Sequence, residues 1–353
     1  MSNLRSKIIV ISNMYPSIKN IRYGIFVKNF VISLEDDFEI KKTILTKKTG
    51  FSKLLGYVGF YIRIVKALSE AKKEDLIYVH YPLFVAPLLC LFNRKYILNF
   101  HGSDITFNTS IRKVYSFFLK KIIIKYPIVI PSKYYEEIFL NQFKKFKEEL
   151  LVYPSGGINS TIFKPLKTEP QTNQFVIGFV SNFIEKKGWR VLLDAIDILI
   201  KENASPNISL RLVGDGPDKE EILKRLKNLN IPYTLRSNLS QAELAEEYNL
   251  LDVFVFPTYR VDESLGLVGL EAMSCGIPVI ASNMGGPKGY INSGENGLLF
   301  NPKDADDLAS KMMMYNNYTG DKKINMIRSA EKTAADYDSK KVKNELITFL
   351  KNQ

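Results

Sequence analysis

The sequence predicts an α/β chain built from two successive doubly wound parallel-sheet domains. Short apolar runs alternate with helix-length amphipathic stretches from the first residues onward. The alternation stops once, at PSGGINSTIFKPLKTEPQTNQ (Pro154 to Gln174), a Gly, Pro, Ser and Thr-rich stretch without helical period, and then restarts. The length of 353 residues, with 46% apolar and 24% charged side chains, suits two globular domains with substantial cores.

Taken in order, Lys7 to Ile11 is a β-branched run of strand length, and Gly24 to Leu34 has helical spacing behind the loop SNMYPSIKNIRY. Strands are expected at Ile40 to Leu45, Leu76 to His80 and Tyr96 to Phe100, with helices between them. Helix 110–125, strand Ile128 to Ile130, helix 132–146 and strand Leu150 to Tyr153 complete the first half. The second half runs strand Phe175 to Val180, helix Gly188 to Ile200, strand Ser209 to Val213, helix Pro217 to Leu229, strand Tyr233 to Leu235 and helix Gln241 to Leu250. After the stretch taken up below, Leu298 to Phe300 adds a short strand, and helices 304–316, 321–334 and 338–351 follow. The expected division is residues 1–160, residues 161–335, and a C-terminal helix at 336–353 that can pack back on the first domain.

Composition narrows the function. Cys90 and Cys275 are too few and too far apart for a disulfide framework, which points to a reducing, cytoplasmic compartment. The start MSNLRSKIIVIS reads as a first strand rather than a signal peptide, and the apolar stretch Tyr81 to Phe92 is too short to span a bilayer. The net charge of +12 is uneven: residues 1–166 hold 26 Lys and Arg against 12 Asp and Glu, whereas the rest is nearly balanced. Such a half favours an anionic partner. YSFFLKKIIIKY (Tyr115 to Tyr126) and KYYEEIFLNQFKKFK (Lys133 to Lys147) mix aromatics with lysines and are the segments expected at an anionic membrane face. The Tyr and Phe residues fall mostly at core or amphipathic spacing, and no nucleic-acid module is present, so no nucleic-acid partner is expected.

The chemistry is concentrated in FPTYRVDESLGLVGLEAMSCGIPVIAS, Phe256 to Ser282. A strand ends at Pro257, a polar loop carries Glu263, and a helix starts near Ser264, Leu265, Gly266 and Leu267 with Glu271 one turn inside it. The free amides of a helix start at the carboxyl ends of parallel strands suit a diphosphate, and a glycine there lets it approach. Carboxylates beside a phosphate site suit sugar hydroxyls.

The E-x7-E spacing of Glu263 and Glu271, followed by AMSCGIPVIAS, resembles the signature of family-4 retaining glycosyltransferases. Four further words add to the resemblance: SNMYPSIKNIRYGIFVKNF, NFHGSDI, YPSGGINSTIF and SNFIEKKGW. The resemblance implies the GT-B architecture, two Rossmann-like domains facing each other across a cleft; alternation alone leaves periplasmic binding proteins open. It implies a metal-independent hexosyltransferase that uses a nucleoside-diphosphate sugar, UDP- before GDP-, with no cofactor. The acceptor would be a glycan or a polyprenyl-diphosphate-linked glycan in lipopolysaccharide or capsule synthesis, at the inner face of the cell membrane. The N-terminal domain would bind acceptor and the C-terminal domain donor.

By the same resemblance, His101 contacts the donor sugar, Glu263 binds its hydroxyls, Lys187 meets the diphosphate and Glu271 the ribose. Gly24, Asn182, Gly214, Ser264, Leu265, Gly266 and Leu267 would line the donor. His80 reads as a structural strand-end histidine. Asn182 stands where the family usually has an arginine, with Lys186 and Arg190 near enough to substitute, and Gly289 stands where a glutamate is frequent. No D-x-D and no His/Cys cluster with ligand spacing is present, so no metal is expected. A sugar-nucleotide epimerase of similar fold and a non-catalytic partner subunit are the alternative functions.

Overall fold

The computed structural model describes all residues except 1–5, 19, 21–22, 106–108, 167–173 and 203–206. Parts of the first loop and of the expected connection therefore lie outside the described residues. The chain divides into one unit of Met1–Gly156 with Val342–Gln353, and a second of Gly157–Lys341.

The first unit runs β1 (Lys7–Ser12), α1 (Ile25–Leu34), β2 (Glu39–Ile44), α2 (Phe51–Glu70), β3 (Leu76–His80), α3 (Ala86–Leu89), β4 (Lys95–Asn99), α4 (Ser110–Ile123), β5 (Ile128–Ile130), α5 (Lys133–Gln142) and β6 (Leu150–Val152). Its six strands pair in the order β2-β1-β3-β4-β5-β6, and the pairings are parallel. Every residue of β3, LIYVH, is buried, as a strand covered on both faces requires.

The second unit runs β7 (Phe175–Asn182), α6 (Trp189–Lys201), β8 (Ile208–Asp215), α7 (Lys219–Leu229), β9 (Tyr233–Arg236), α8 (Gln241–Tyr248), β10 (Val253–Phe256), α9 (Leu267–Ser274), β11 (Val279–Ser282), α10 (Gly285–Lys288), β12 (Gly297–Phe300), α11 (Ala305–Asn316) and α12 (Gly320–Ala335). Its order is β12-β11-β10-β7-β8-β9, again parallel. The chain builds outward from β7 to β9, then returns to the other side of β7 with β10. That reversal makes the carboxyl ends of β7 and β10 the place where an open α/β sheet takes ligands.

The last helix, α13 (Ser339–Lys351), returns to the first unit. Its Val342, Leu346, Phe349 and Leu350 share one apolar cluster with Val27, Phe30, Val31 and Leu34 of α1. The crossing point is tightly built. Ile158 and Ser339 exchange backbone bonds of 2.8 Å with Tyr337 and Ile158, and a Cβ on Gly157 (φ 72°) would meet the Tyr337 carbonyl oxygen at 2.4 Å. Entry to and exit from the second unit are thereby locked side by side.

Candidate active site

The loops after β7 and β10 are pressed together backbone to backbone. Gly188, in the left-handed region at φ 83°, ends a short 3-10 turn of Glu185–Lys187, and a Cβ there would fall 1.9 Å from the Pro257 carbonyl oxygen. Tyr259 donates its amide to the Lys186 carbonyl at 3.0 Å. This contact brings together two residues 76 positions apart: Lys187 Nζ lies 2.5 Å from Glu263 Oε2. Their side chains are only 15% and 13% exposed. Thr258 Oγ1 donates to the same carboxylate oxygen at 3.3 Å, and the ammonium sits 5.8 Å from the centre of the Phe256 ring. The Glu263 backbone is held from the other side, its carbonyl accepting from Gly286 N at 2.8 Å.

The start of α9 follows at once. Gly266 is its N-cap at φ 82°, and a Cβ there would lie 2.3 Å from the Phe256 ring. The fold therefore needs this glycine for its own packing, whatever approaches the helix from outside. Leu265 is buried at 2% exposure rather than lining open space. Tyr290 donates its hydroxyl to the Gly266 carbonyl at 3.1 Å, which fixes the direction of the helix start and of the Ser264 and Leu267 amides around it. The first amides of a helix have no acceptor within it and carry its positive dipole end.

Glu271 is more enclosed than a helix-surface glutamate. Tyr248 of α8 donates its hydroxyl to Glu271 Oε2 at 3.1 Å, and burial pushes the carboxyl up to about 7 against that bond. Asn182, at the end of β7, is exposed. Gly214 pairs in register with Ser181, and a Cβ on it would meet the Ser181 carbonyl oxygen at 1.9 Å, so strand packing already demands it. Of the two cations that could stand in for the missing arginine, Arg190 is engaged. Its guanidinium lies 4.4 Å from the Trp189 ring centre and pairs with Glu221 of α7 at 2.5 Å. Lys186 is exposed. The same loop holds a charge that the sequence reading passed over, Arg260, paired with Asp262 at 2.9 Å; that pairing holds the Asp262 carboxyl below its usual range.

The first unit gathers its own polar cluster at the ends of β3 and β4. His80 and His101 are stacked, with His80 Nδ1 3.0 Å from His101 Nε2. Asn99 Nδ2 lies 3.3 Å from the same His80 nitrogen and donates to the Tyr78 hydroxyl at 2.9 Å. The other side of His101 packs on Tyr81, ring centres 4.5 Å apart. Burial drives His101 down to about 3 and His80 well below its usual value, so both rings are neutral near pH 7. His101 N donates to Asp104 Oδ1 at 2.8 Å, and burial raises that carboxyl to about 7. With Phe26, Phe30 and Tyr153 the two histidines line a small pocket. Gly24, N-cap of α1 at φ 71°, is also demanded by the fold, since a Cβ there would lie 2.6 Å from the Met14 backbone. Among the described residues no three His, Cys, Asp or Glu side chains form a group able to hold a metal, and no helix is long and apolar enough to cross a membrane.

Residues 162–333, most of the second unit, match the family model described as glycosyl transferases group 1. The chain carries a group 1 glycosyltransferase domain. An uncharacterized glycosyltransferase of Methanocaldococcus jannaschii is 28% identical over 317 residues, 86% of this chain and 82% of that protein. A lipopolysaccharide core biosynthesis glycosyltransferase of Rhizobium meliloti, LpsE, is 31% identical over 134 residues. That match covers 38% of this chain and little more than a third, 37%, of the relative. Among solved structures, Anabaena HepE in complex with UDP and glucose superposes with a TM-score of 0.70 at 18% identity, covering 99% of this chain and 100% of that one. The fold is therefore GT-B, as the sequence words implied. In this chain Lys187 and Glu263, expected to act on different parts of a donor, form one ion pair beside the start of α9.

Proposed function

We propose that this glycosyltransferase moves a sugar from a nucleoside-diphosphate sugar to a glycan or polyprenyl-diphosphate-linked acceptor, with retention of anomeric configuration and without a metal. The observation that carries the reading is the Lys187–Glu263 pair, shielded at the β7/β10 reversal and adjoining the first turn of α9. A leaving nucleoside diphosphate gains negative charge, and preorganised donors stabilise it most where water is excluded. Lys187 and the amides from Ser264 to Leu267 are such donors. A bound diphosphate would draw Lys187 from Glu263, leaving that carboxylate to accept from sugar hydroxyls. Glu271 would meet the ribose.

His101 suits a hydrogen-bonding rather than a proton-abstracting role, because an imidazole with a pKa of about 3 is a poor base at neutral pH. The acceptor proton would then pass to the departing phosphate on the face that sugar transfer uses, which is the retaining geometry. UDP is the preferred nucleotide: HepE, a structural neighbour, holds UDP and glucose. The LpsE relative acts in lipopolysaccharide core biosynthesis, which supports a role in cell-surface polysaccharide synthesis at the cytoplasmic membrane face.

Calorimetric titration with UDP, GDP and ADP tests the donor site. At least one diphosphate should bind the parent protein and bind Lys187→Ala more weakly. Absence of binding by every nucleotide would overturn the reading.

A further inference from the structure

Helix α2 carries two apolar stripes. Phe60, Ile64, Ala67 and Leu68 are buried in the core of the first unit. A second set, Phe51, Leu54, Leu55, Val58, Ile62 and Val65, recurs at helical spacing on the opposite side. These six are 74%, 62%, 58%, 50%, 64% and 38% exposed. An amphipathic helix packed on a sheet has no packing reason for that second stripe, and large continuous apolar patches on a protein surface mark interaction sites.

The patch continues onto α4. Tyr61 of α2 donates to the Phe84 carbonyl at 3.3 Å, and the Phe84 ring meets Tyr115 of α4 at 5.3 Å, so the two helices share one support. On α4, Ile111, Val114 and Phe117 are 60%, 62% and 57% exposed. Exposed lysines fringe both helices: Lys53 and Lys66 on α2, Lys113, Lys120 and Lys121 on α4. Lys121 Nζ lies over the Phe117 ring at 4.4 Å, a stem that follows apolar surface while its ammonium reaches outward. The sole carboxylate within the two helices, Glu70, is paired with Lys41 at 3.0 Å and with Lys66 at 3.8 Å.

We propose that the exposed face of α2, extended by α4, docks on an anionic lipid surface, with the apolar stripe among the acyl boundaries and the lysines against headgroup phosphates. Charge decides between occupants. A second copy of this chain would set the same lysines against one another, whereas an anionic bilayer complements them and also takes up the aliphatic stripe. A nucleic acid would meet the lysines but leave Leu54, Leu55, Val58 and Ile62 in water. The inference deepens the lipid-linked acceptor reading above; it is tested without turnover, so the two can fail separately.

The test is co-sedimentation of the full chain with phosphatidylcholine vesicles, with and without phosphatidylglycerol, at low and high salt. The parent should bind the anionic vesicles and lose binding as salt rises. Leu55→Ser/Val58→Ser/Ile62→Ser should weaken binding by about ten-fold or more, given the apolar area each residue would otherwise insert. Unchanged vesicle affinity in that variant would overturn the assignment. So would a dimer in light scattering that the variant dissolves, or a single-stranded oligonucleotide bound in preference to vesicles. Should the triple variant not fold, Ile62→Trp keeps the question open to measurement: brominated lipids should quench its emission, and no quenching would refute insertion of α2.

Discussion

Replacing Lys187 with alanine separates the structural from the chemical work of its ion pair. In the protein Lys187 and Glu263 meet at 2.5 Å with 15% and 13% of their side chains exposed. Removing the cation leaves a shielded carboxylate with the Thr258 hydroxyl, 3.3 Å away, as its remaining side-chain partner. Breaking a fully buried pair costs about 3–5 kcal/mol, and partial exposure here argues for the lower end, about 2–3 kcal/mol. For a unit of this size that lowers Tm by about 4–12 °C. Deleting Glu263 as well removes the stranded charge, so Lys187→Ala/Glu263→Ala should regain much of the lost stability. Turnover should not follow. If the ammonium stabilises a leaving diphosphate, both the single and the double variant should lose about 10²-fold or more in kcat. Thermal unfolding and nucleotide-release kinetics on the four proteins of the cycle supply the data. Near-normal turnover in the double variant would refute the argument, because the pair would then be structural only.

Three further expectations rest on other residues. Burial raises the Glu271 carboxyl to about 7, above its ordinary value, so its favourable protonated form is fully present below about pH 4.5 and is lost as pH rises through 7. Glu271→Gln should therefore gain in Tm over the parent as pH goes from about 5 to about 7.5, and should weaken nucleotide binding; a Tm difference independent of pH would contradict the burial argument. His101, neutral above about pH 3, should contribute no limb to the rate profile near neutrality, so His101→Asn should lower kcat while leaving the profile's shape unchanged. A lost limb would make it a titrating base. Activity should survive dialysis against EDTA, and complete loss reversed by Mn²⁺ or Mg²⁺ would sink the metal-independent reading.

Both sheets were legible because their central strands are continuous apolar runs. LIYVH at β3 and VFVF at β10 are buried throughout, and burial on both faces is what such runs encode. Boundaries were less legible. The helix expected over 132–146 ends at Gln142: Phe143 leaves helical geometry, the rings of Phe143 and Phe146 both meet Phe139, and no breaker in QFKKFK announces it. The Lys133–Lys147 segment, expected at a membrane face, turns Tyr135, Phe139 and Phe143 into the core. The exposed stripe lies on α2 and on α4, whose Phe117 falls within the Tyr115 to Tyr126 segment; on α2 a second apolar face blurs the helical period that would have revealed it.

The sequence offered the candidate site residues one at a time, and which of them meet was not legible in it. Lys187 meets Glu263 because β10 returns beside β7, a choice of strand order that local spacing does not carry. His80 meets His101 because β3 and β4 pair with His80 opposite Asn99. Glu271 was expected near a ribose from its motif, while its burial against Tyr248 depends on α8 packing on α9. Gly24 and Gly266 were expected to let a donor approach and Gly214 to line it, whereas the structure shows each required by a backbone or ring of its own unit.

The most direct test of the central claim is the product itself. Incubating the protein with a panel of UDP- and GDP-sugars and a lipid-linked acceptor, followed by NMR of the purified product, reads donor, transfer and anomeric outcome together. The account predicts release of a nucleoside diphosphate and a new glycosidic bond with the anomeric configuration of the donor. A product of opposite configuration, or an epimerised sugar nucleotide without transfer, would contradict it.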